Sequence, residues 1–387
     1  MRVLFTTTAG LGHIHPTVPL ARAMADRGHD VLWAAPADGL PAVEAAGFRA
    51  VRAGGPGITD PAGTRRRFPE LDAYSPAELP EQMFAKLFGA VAAPAMLADL
   101  LPVAREWRPE LVVADQAEFA GHIAAADLGV PSVTKGFGPV LPEARVARAA
   151  DEVAPLWRSV GLEPRPYGGA FDRLYLDIYP PALQDREAAH IPHRLALRPV
   201  AYDGAAAGTG GDDLPLPAAH PGTPLVYVTM GTVFTGPEAL APVLAAVADL
   251  EVRVVVTVGP RGDPAVLGPQ PPHVRVERYV PQTALLPRCD VVVSHAGSGT
   301  VLQSLGLRLP QLCLPQGADQ FLNASAVTSA GAGIALEPGG RTPEAVGHAL
   351  GRLLGDPSYR AAAGRVAESI ASMPPPETVA ETLEQLV

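Results

Sequence analysis

The residues best suited to chemistry in this chain fall in two His/Gly segments, each placed where an apolar, strand-like run gives way to a helix-like one. The richer segment spans Asp290 to Gln320. An apolar run ending in Ser294 leads into His295, then Gly297-Ser298-Gly299-Thr300, a helix-like stretch, a second strand-like run and Asp319-Gln320. A strand that opens through a Gly/Ser loop onto a helix start presents unpaired backbone N–H groups and a positive dipole end to an anion. Gly lets the backbone approach closely, Ser298 and Thr300 add hydroxyl donors, and His295 stands where it can donate to a phosphate oxygen. The segment therefore reads as a diphosphate seat. Gly231-Thr232, just past the run Leu225 to Thr229, is expected to add a second phosphate contact from the same half.

The kind of diphosphate is less constrained. A dinucleotide fingerprint needs a third Gly where the chain has Leu302, although Asp319 lies 20 residues past Gly299, where that motif places its ribose acid. A Walker A loop is excluded, because the chain contains no Gly-Lys dipeptide.

The other segment, Gly10-Leu11-Gly12-His13-Ile14-His15-Pro16, follows the strand-like run Arg2 to Thr7. His13 is the candidate general base: an imidazole of ordinary pKa ~6.5 takes a proton at neutral pH and returns it to solvent. The plain alternative is a loop or capping residue. Asp115 follows the apolar run Leu111 to Ala114 and can accept the Nδ1 hydrogen of His13, holding its tautomer and stabilising the imidazolium. Its alternative role is to cap the following helix. Glu118 is the rival orienter.

Positioning these residues requires parallel α/β units. Length predicts about two domains of ~150–200 residues, and short apolar runs alternate with amphipathic ones through the first third. Strands are expected at Arg2 to Thr7, Asp30 to Ala35, Leu111 to Ala114 and Pro131 to Thr134. Arg52 to Ala98, rich in Pro and Gly, is expected to be irregular. The Gly/Ala/Pro-rich stretch 206–222 reads as a linker between a first domain, 1–205, and a second, 223–370, which is followed by a terminal segment, 371–387. Two doubly wound domains facing each other would place their strand-end loops on one cleft.

Composition narrows the partners. A net charge of −10 argues against nucleic acid or a membrane surface as a general partner, so a diphosphate must be held locally by amides and His. Cys289 and Cys313, with no Cys-x-x-Cys, read as small buried hydrophobes in a reducing compartment. No apolar run reaches the ~18 residues of a membrane helix, and the N-terminus lacks a long apolar signal core. A cytoplasmic protein without membrane insertion is expected.

Taken in order, Tyr279-Val280-Pro281-Gln282, His295-x-Gly297, the Ser298-Gly299-Thr300 loop and Asp319-Gln320 resemble the nucleotide-sugar signature of glycosyltransferase family 1. Gly12-His13-x-x-Pro16 is similar to that family's Gly-His-x-x-Pro, and Leu176 to Pro181 looks like a stretch found in actinomycete enzymes that decorate macrolide and enediyne antibiotics. The resemblance implies an α/β GT-B fold, two Rossmann-like doubly wound domains about a central cleft, with the acceptor on the first and the donor on the second. It also implies a last helix that packs back on the first domain.

What the resemblance further implies is an inverting transfer of a (deoxy)sugar from a nucleoside-diphosphate donor to a hydroxyl of an apolar natural product. His13 would be the base and Asp115 its orienter. Gly12, Gly231, Thr232, His295, Gly297, Ser298, Gly299 and Thr300 would hold the diphosphate side of the donor. Tyr279 would stack on the nucleobase, Val280 would meet its edge through the backbone, and Gln282 completes that motif. Asp319 and Gln320 would bind sugar hydroxyls. Gln303 departs from the family's frequent Glu for the ribose hydroxyls, which favours a thymidine diphosphate donor. No Asp-x-Asp occurs, so neither metal nor cofactor is expected. The apolar stretch Phe68 to Met96 (Phe68, Met83 and Phe84 among it), Phe137 and the region near Trp157 could line an acceptor pocket, though an ordinary core explains many of these side chains at least as well. A nucleotide-sugar epimerase and a catalytically silent activator protein are the competing readings, and homodimerisation is open.

Overall fold

The structure, a computed structural model, describes the 387 residues except 56–60, 75–77, 185–187, 205–213, 215, 219–221, 232–236 and 261. Most of the expected linker and all of Thr232 therefore lie outside the described residues. The chain forms two compact units. One comprises Met1–Tyr179, Arg186–Arg198 and Pro374–Val387; the other comprises Pro180–Asp185 and Pro199–Met373.

Among the described residues the first unit has seven strands: β1 (Arg2–Thr6), β2 (Asp30–Ala35), β3 (Arg49–Arg52), β4 (Leu111–Asp115), β5 (Ser132–Lys135), β6 (Leu174–Asp177) and β7 (Arg194–Ala196). They lie in the order β3-β2-β1-β4-β5-β6-β7, and every pairing is parallel. The second unit has six among its described residues: β8 (Leu225–Thr229), β9 (Arg253–Thr257), β10 (Val274–Glu277), β11 (Val291–Ser294), β12 (Gln311–Cys313) and β13 (Gly333–Ala335). Their order is β10-β9-β8-β11-β12-β13, again all parallel. Strands such as LVYVT and RVVVT are apolar almost end to end because helices cover both faces of each sheet. In each sheet the strand order reverses once, between β1 and β4 in the first and between β8 and β11 in the second. At such a switch point the two strand-end loops diverge and leave a crevice at the carboxyl edge, where ligands of open α/β sheets bind.

The region expected to be irregular is largely helical. Pro61–Arg67 is a helix, and Leu79–Phe84, a wide π turn over Ala85–Ala92 and Ala93–Trp107 run on as one 29-residue helix. Its prolines misled the reading. Pro80 sits in the first turn, where a missing N–H costs nothing, whereas Pro94 follows the π turn directly and Pro102 lies inside the helix. By length and composition this helix could cross a membrane, although no uninterrupted apolar run marks it in the sequence. In the fold its stripe of Phe84, Leu87, Phe88, Met96, Leu97 and Leu100 is buried in the first unit's core. The terminal helix Pro376–Glu384 also belongs to the first unit. Arg27 donates to Glu384 (2.7 and 2.8 Å) and to Glu381 (3.0 Å), and His29 Nε2 lies 2.7 Å from Glu384.

Candidate functional site

In the first unit, β1 and β4 deliver the two groups that matter to the switch point. The chain leaves β1, turns through Gly10 and starts the short helix Leu11–Ile14, which carries His13. A side chain at position 10 would come within 2.9 Å of His13 Cδ2, so the turn needs Gly to admit the imidazole. Asp115, the last residue of β4, is buried, and its Oδ1 lies 2.9 Å from His13 Nδ1. A carboxylate only accepts, so Nδ1 carries the hydrogen and Nε2 keeps its lone pair. The Ala117 N–H also donates to Oδ1 (2.9 Å), which locks the carboxylate's rotation. Phe137 packs over the imidazole at 4.3 Å between ring centroids and Phe88 at 6.2 Å, giving the base an apolar wall.

Glu118 does not reach His13. It accepts from the Thr6 hydroxyl (2.5 Å) and from the Ala120 and Gly121 amides (2.6 and 2.9 Å), tying the start of helix Ala120–Leu128 to β1. Its complete burial outweighs those bonds and raises its pKa to about 7.

In the second unit the loops after β8 and β11 meet around His295. Added side chains at Gly231 and at Gly297 would each come within 2.5 Å of its ring. Gly231 also has φ +76°, a left-handed conformation disfavoured for other residues. The imidazole is thus sandwiched between two glycines, one from each loop. Burial pushes its pKa down to about 4, against the opposing pull of Asp319 and the Thr229 backbone, so the ring is neutral at pH 7. A neutral imidazole has one N–H, so the ring can donate to an anion but brings no positive charge of its own.

Helix Ser298–Gly306 follows, with Gly297 as its cap. Its first intrahelical bond is Val301 N–H to the Gly297 carbonyl (3.0 Å), so the amides of Ser298, Gly299 and Thr300 precede the ladder. Among the described residues outside its own helix turn, nothing stands within 4 Å of where a side chain at Gly299 would project. That combination of free amides and open approach is what an anion needs. Gly12, in the first unit, is equally open.

The side chains around that helix start form a network. The Ser298 hydroxyl donates inward to Asp319 Oδ2 (2.7 Å) instead of pointing out towards an anion. Asn323 Nδ2 bridges the Ala296 carbonyl (2.9 Å), Ser298 Oγ (3.0 Å) and Asp319 Oδ2 (3.1 Å). Ala296 has φ +62°, a strained conformation for a residue with a side chain. Asn323 holds it and thereby aims the loop. Gln320 Oε1 accepts from the Gln316 and Gly317 amides (2.7 and 3.1 Å), shaping the turn before Asp319. Thr300 accepts from Gln282 Nε2, which also reaches the Tyr227 hydroxyl (both 3.3 Å). Tyr279 is 42% exposed, with its hydroxyl donating to the Asp203 carbonyl (2.8 Å). Its ring therefore lies open at the surface beside the buried Val280. Gln303 Oε1 is buried without a hydrogen-bond partner among the described residues.

The expected acceptor-lining residues divide. Phe137 lies against His13. Phe84 packs in the core against Phe88 and Phe119 (4.8 and 6.4 Å), and Trp157 is fully buried, so the core explanation holds for these two. Phe68 sits under Lys86 Nζ (5.0 Å) and Met83 is half-buried. Phe88 falls within the stretch Phe68 to Met96 expected to line the acceptor pocket, whereas Asn323 and Lys135 were absent from the expected site. Asn323 could have been found from its place one helical turn after Asp319. Lys135 carried no motif. It is fully buried at the end of β5, paired in register with Asp115, and burial lowers its pKa to about 7 against the pull of Asp115.

Comparison with known proteins gives this arrangement its relatives. Residues 22–209 match the model for the N-terminal domain of erythromycin biosynthesis protein CIII-like proteins, and residues 241–386 match the model for their C-terminal domain. The chain is 35% identical to the elloramycin glycosyltransferase ElmGT of Streptomyces olivaceus, over 99% of this chain and 97% of that protein. Among solved structures, the glycosyltransferase SnogD from Streptomyces nogalater superposes with a TM-score of 0.79 at 33% identity, covering 100% of this chain and 99% of SnogD. The spinosyn rhamnosyltransferase SpnG complexed with thymidine diphosphate gives a TM-score of 0.82 at 30% identity, covering 99% of this chain and 100% of SpnG.

Proposed function

The chain belongs to the erythromycin biosynthesis protein CIII-like family of natural-product glycosyltransferases, with the GT-B fold, and on that premise we propose how it transfers sugar. The donor is a thymidine-diphosphate (deoxy)sugar and the acceptor a hydroxyl of an apolar aglycone. The first unit binds the acceptor and the second binds the donor. His13 Nε2 takes the hydroxyl proton as the oxygen attacks the anomeric carbon from the face opposite the diphosphate, so the configuration inverts. The new C–O bond forms while the bond to the phosphate oxygen breaks, and its electron pair leaves with the diphosphate. The amides of Ser298, Gly299 and Thr300, the helix dipole and the His295 ring stabilise that charge. His13 then returns its proton to solvent. Tyr279 stacks on the base, and Asp319 and Gln320 hold sugar hydroxyls.

The observation that carries this reading is the 2.9 Å His13–Asp115 bond at the first sheet's switch point. It fixes the tautomer a base needs and supplies a buried counter-charge for the imidazolium. The thymidine preference is supported by the SpnG complex with thymidine diphosphate and by an amide, Gln303, in place of a carboxylate that would select a ribose diol.

A thermal-shift panel of thymidine, uridine and guanosine diphosphates tests the donor. The thymidine nucleotide should give the largest shift, and a larger shift with another base would overturn the assignment. Transfer by the purified chain alone would exclude a silent activator, and an unchanged sugar after incubation of donor alone would exclude an epimerase.

A further inference from the structure

We propose that Lys135 is a positioning residue for this transfer, acting through Asp115 to set how firmly His13 holds the acceptor's proton. The inference rests on His13 being the base. Strands β4 and β5 pair in parallel with Asp115 opposite Lys135, and residues paired across neighbouring strands project to the same face of a sheet. Both side chains are buried. Asp115 spends Oδ1 on His13 and Ala117, while its Oδ2 is buried with no hydrogen-bond partner among the described residues, as is Lys135 Nζ. Among the described residues Lys135 has no ion pair within 4.0 Å, so no closed bridge joins it to Asp115. Asp115 is the charge that acts on the lysine.

The surrounding groups are engaged elsewhere. Asp177, at the end of β6, accepts from the Tyr179 amide (2.9 Å) and lies 3.6 Å from Arg194. Tyr175 donates to Gln116 (2.9 Å), and His122 is held by Ser132 and Thr134 (3.0 and 3.1 Å). Glu118 is held by Thr6 and two amides.

One carboxylate therefore serves two basic groups. When His13 takes the acceptor's proton, a neutral Lys135 leaves an imidazolium–carboxylate pair with no net charge. A charged Lys135 leaves one excess positive charge in a buried site, which is disfavoured. Protons on His13 and on Lys135 thus oppose each other. A methionine would fill the same space without burying an amine, whose charged form burial disfavours.

The chain has only two lysines, Lys86 and Lys135, so lysine labelled with ¹³C at Cε yields two assignable signals. Lys86 is paired with Glu152 (2.7 Å) and serves as the internal reference. In the wild-type protein the Lys135 signal should titrate near neutrality, well below the ordinary lysine value of ~10.4. Asp115→Asn should move that midpoint down by about one pH unit, because it removes the charge that favours the ammonium. In transfer assays, Lys135→Met should move the acidic limb of the pH–rate profile to higher pH, whereas Lys135→Arg, which keeps the charge Lys135 carries on that limb, should not raise it.

A wild-type Lys135 midpoint in the ordinary lysine range overturns the proposal. So does a midpoint indifferent to Asp115→Asn, or an acidic limb that Lys135→Met fails to raise or that Lys135→Arg raises as far. The resonance arm needs no transfer activity, so it still decides the coupling if the functional reading itself fails.

Discussion

Replacing Asp115 by Asn probes the base most cleanly, because the change removes charge and little else. The amide oxygen can stay where the Ala117 N–H and His13 Nδ1–H both donate, each at 2.9 Å. The variant's imidazole should therefore keep its place and its tautomer, and lose only the counter-charge for the proton it collects. Unit charges ~4 Å apart at an effective dielectric of ~20 interact by about 4 kcal/mol. Asp115 is fully buried and the His13 side chain is only 13% exposed, so solvent screens the pair weakly. Part of that interaction is offset, since the same carboxylate also receives Ala117 and lies near Lys135. A loss of about 2–4 kcal/mol in the transition state corresponds to a fall in kcat of about 30- to 1,000-fold. The assay is the initial rate at saturating donor sugar, with the melting shift induced by thymidine diphosphate as the control. The shift should be unchanged, because the diphosphate seat is in the second unit. A rate within about 3-fold of wild type, or equal losses in donor affinity and turnover, would refute the argument.

Removing the base altogether, His13→Ala, should cost kcat ~10²–10⁴-fold while nucleotide-induced stabilisation persists; matched losses of both would contradict the role. Gly231→Ala puts a methyl group 2.5 Å from the His295 ring on a backbone at φ +76°. It should weaken thymidine diphosphate binding at least ~10-fold through displacement of that ring, about 1.4 kcal/mol or more, and titration calorimetry reads it directly. Glu118→Gln should change how stability depends on pH. Folded Glu118 keeps its proton up to about 7, whereas the unfolded chain releases it near ~4.3. The native state thus binds more protons across that window, and the carboxylate's contribution to stability falls as pH rises. His122 and His295, both lowered to about 4, act in the opposite sense between there and ~6.5, so the measured quantity is the wild-type minus variant stability at each pH. Parallel curves would show that Glu118 is not the titrating group. Sugar transfer should persist after EDTA treatment, and an activity restored only by added divalent metal would contradict a leaving group held by amides.

Much of the scaffold was readable along the chain because parallel strands covered on both faces leave a local signature. Runs such as LVYVT and RVVVT need no partner to be recognised, and Gly-rich turns at their carboxyl ends mark where ligands approach. The long helix Leu79–Trp107 was not readable, since Pro94 and Pro102 resemble breaks along the chain, and only the burial of the apolar stripe shows the helix running on through them. The two histidine loops were visible as motifs, yet the choice between Asp115 and Glu118 as partner of His13 was open, both being acids near the end of one strand.

The sequence by itself determined the classes of group available: two imidazoles beside Gly-rich turns, a helix start fit for an anion, and acids near strand ends. Local chemistry and spacing suffice for that. Only the tertiary structure decided which groups meet. The order of strands brings β1 beside β4, across more than a hundred residues of chain, and so seats Asp115 against His13 while Glu118 turns to Thr6. The same kind of reversal wedges His295 between Gly231 and Gly297, and sheet register alone sets Lys135 opposite Asp115. Such pairings depend on lateral packing between distant segments, which no stretch of sequence encodes on its own.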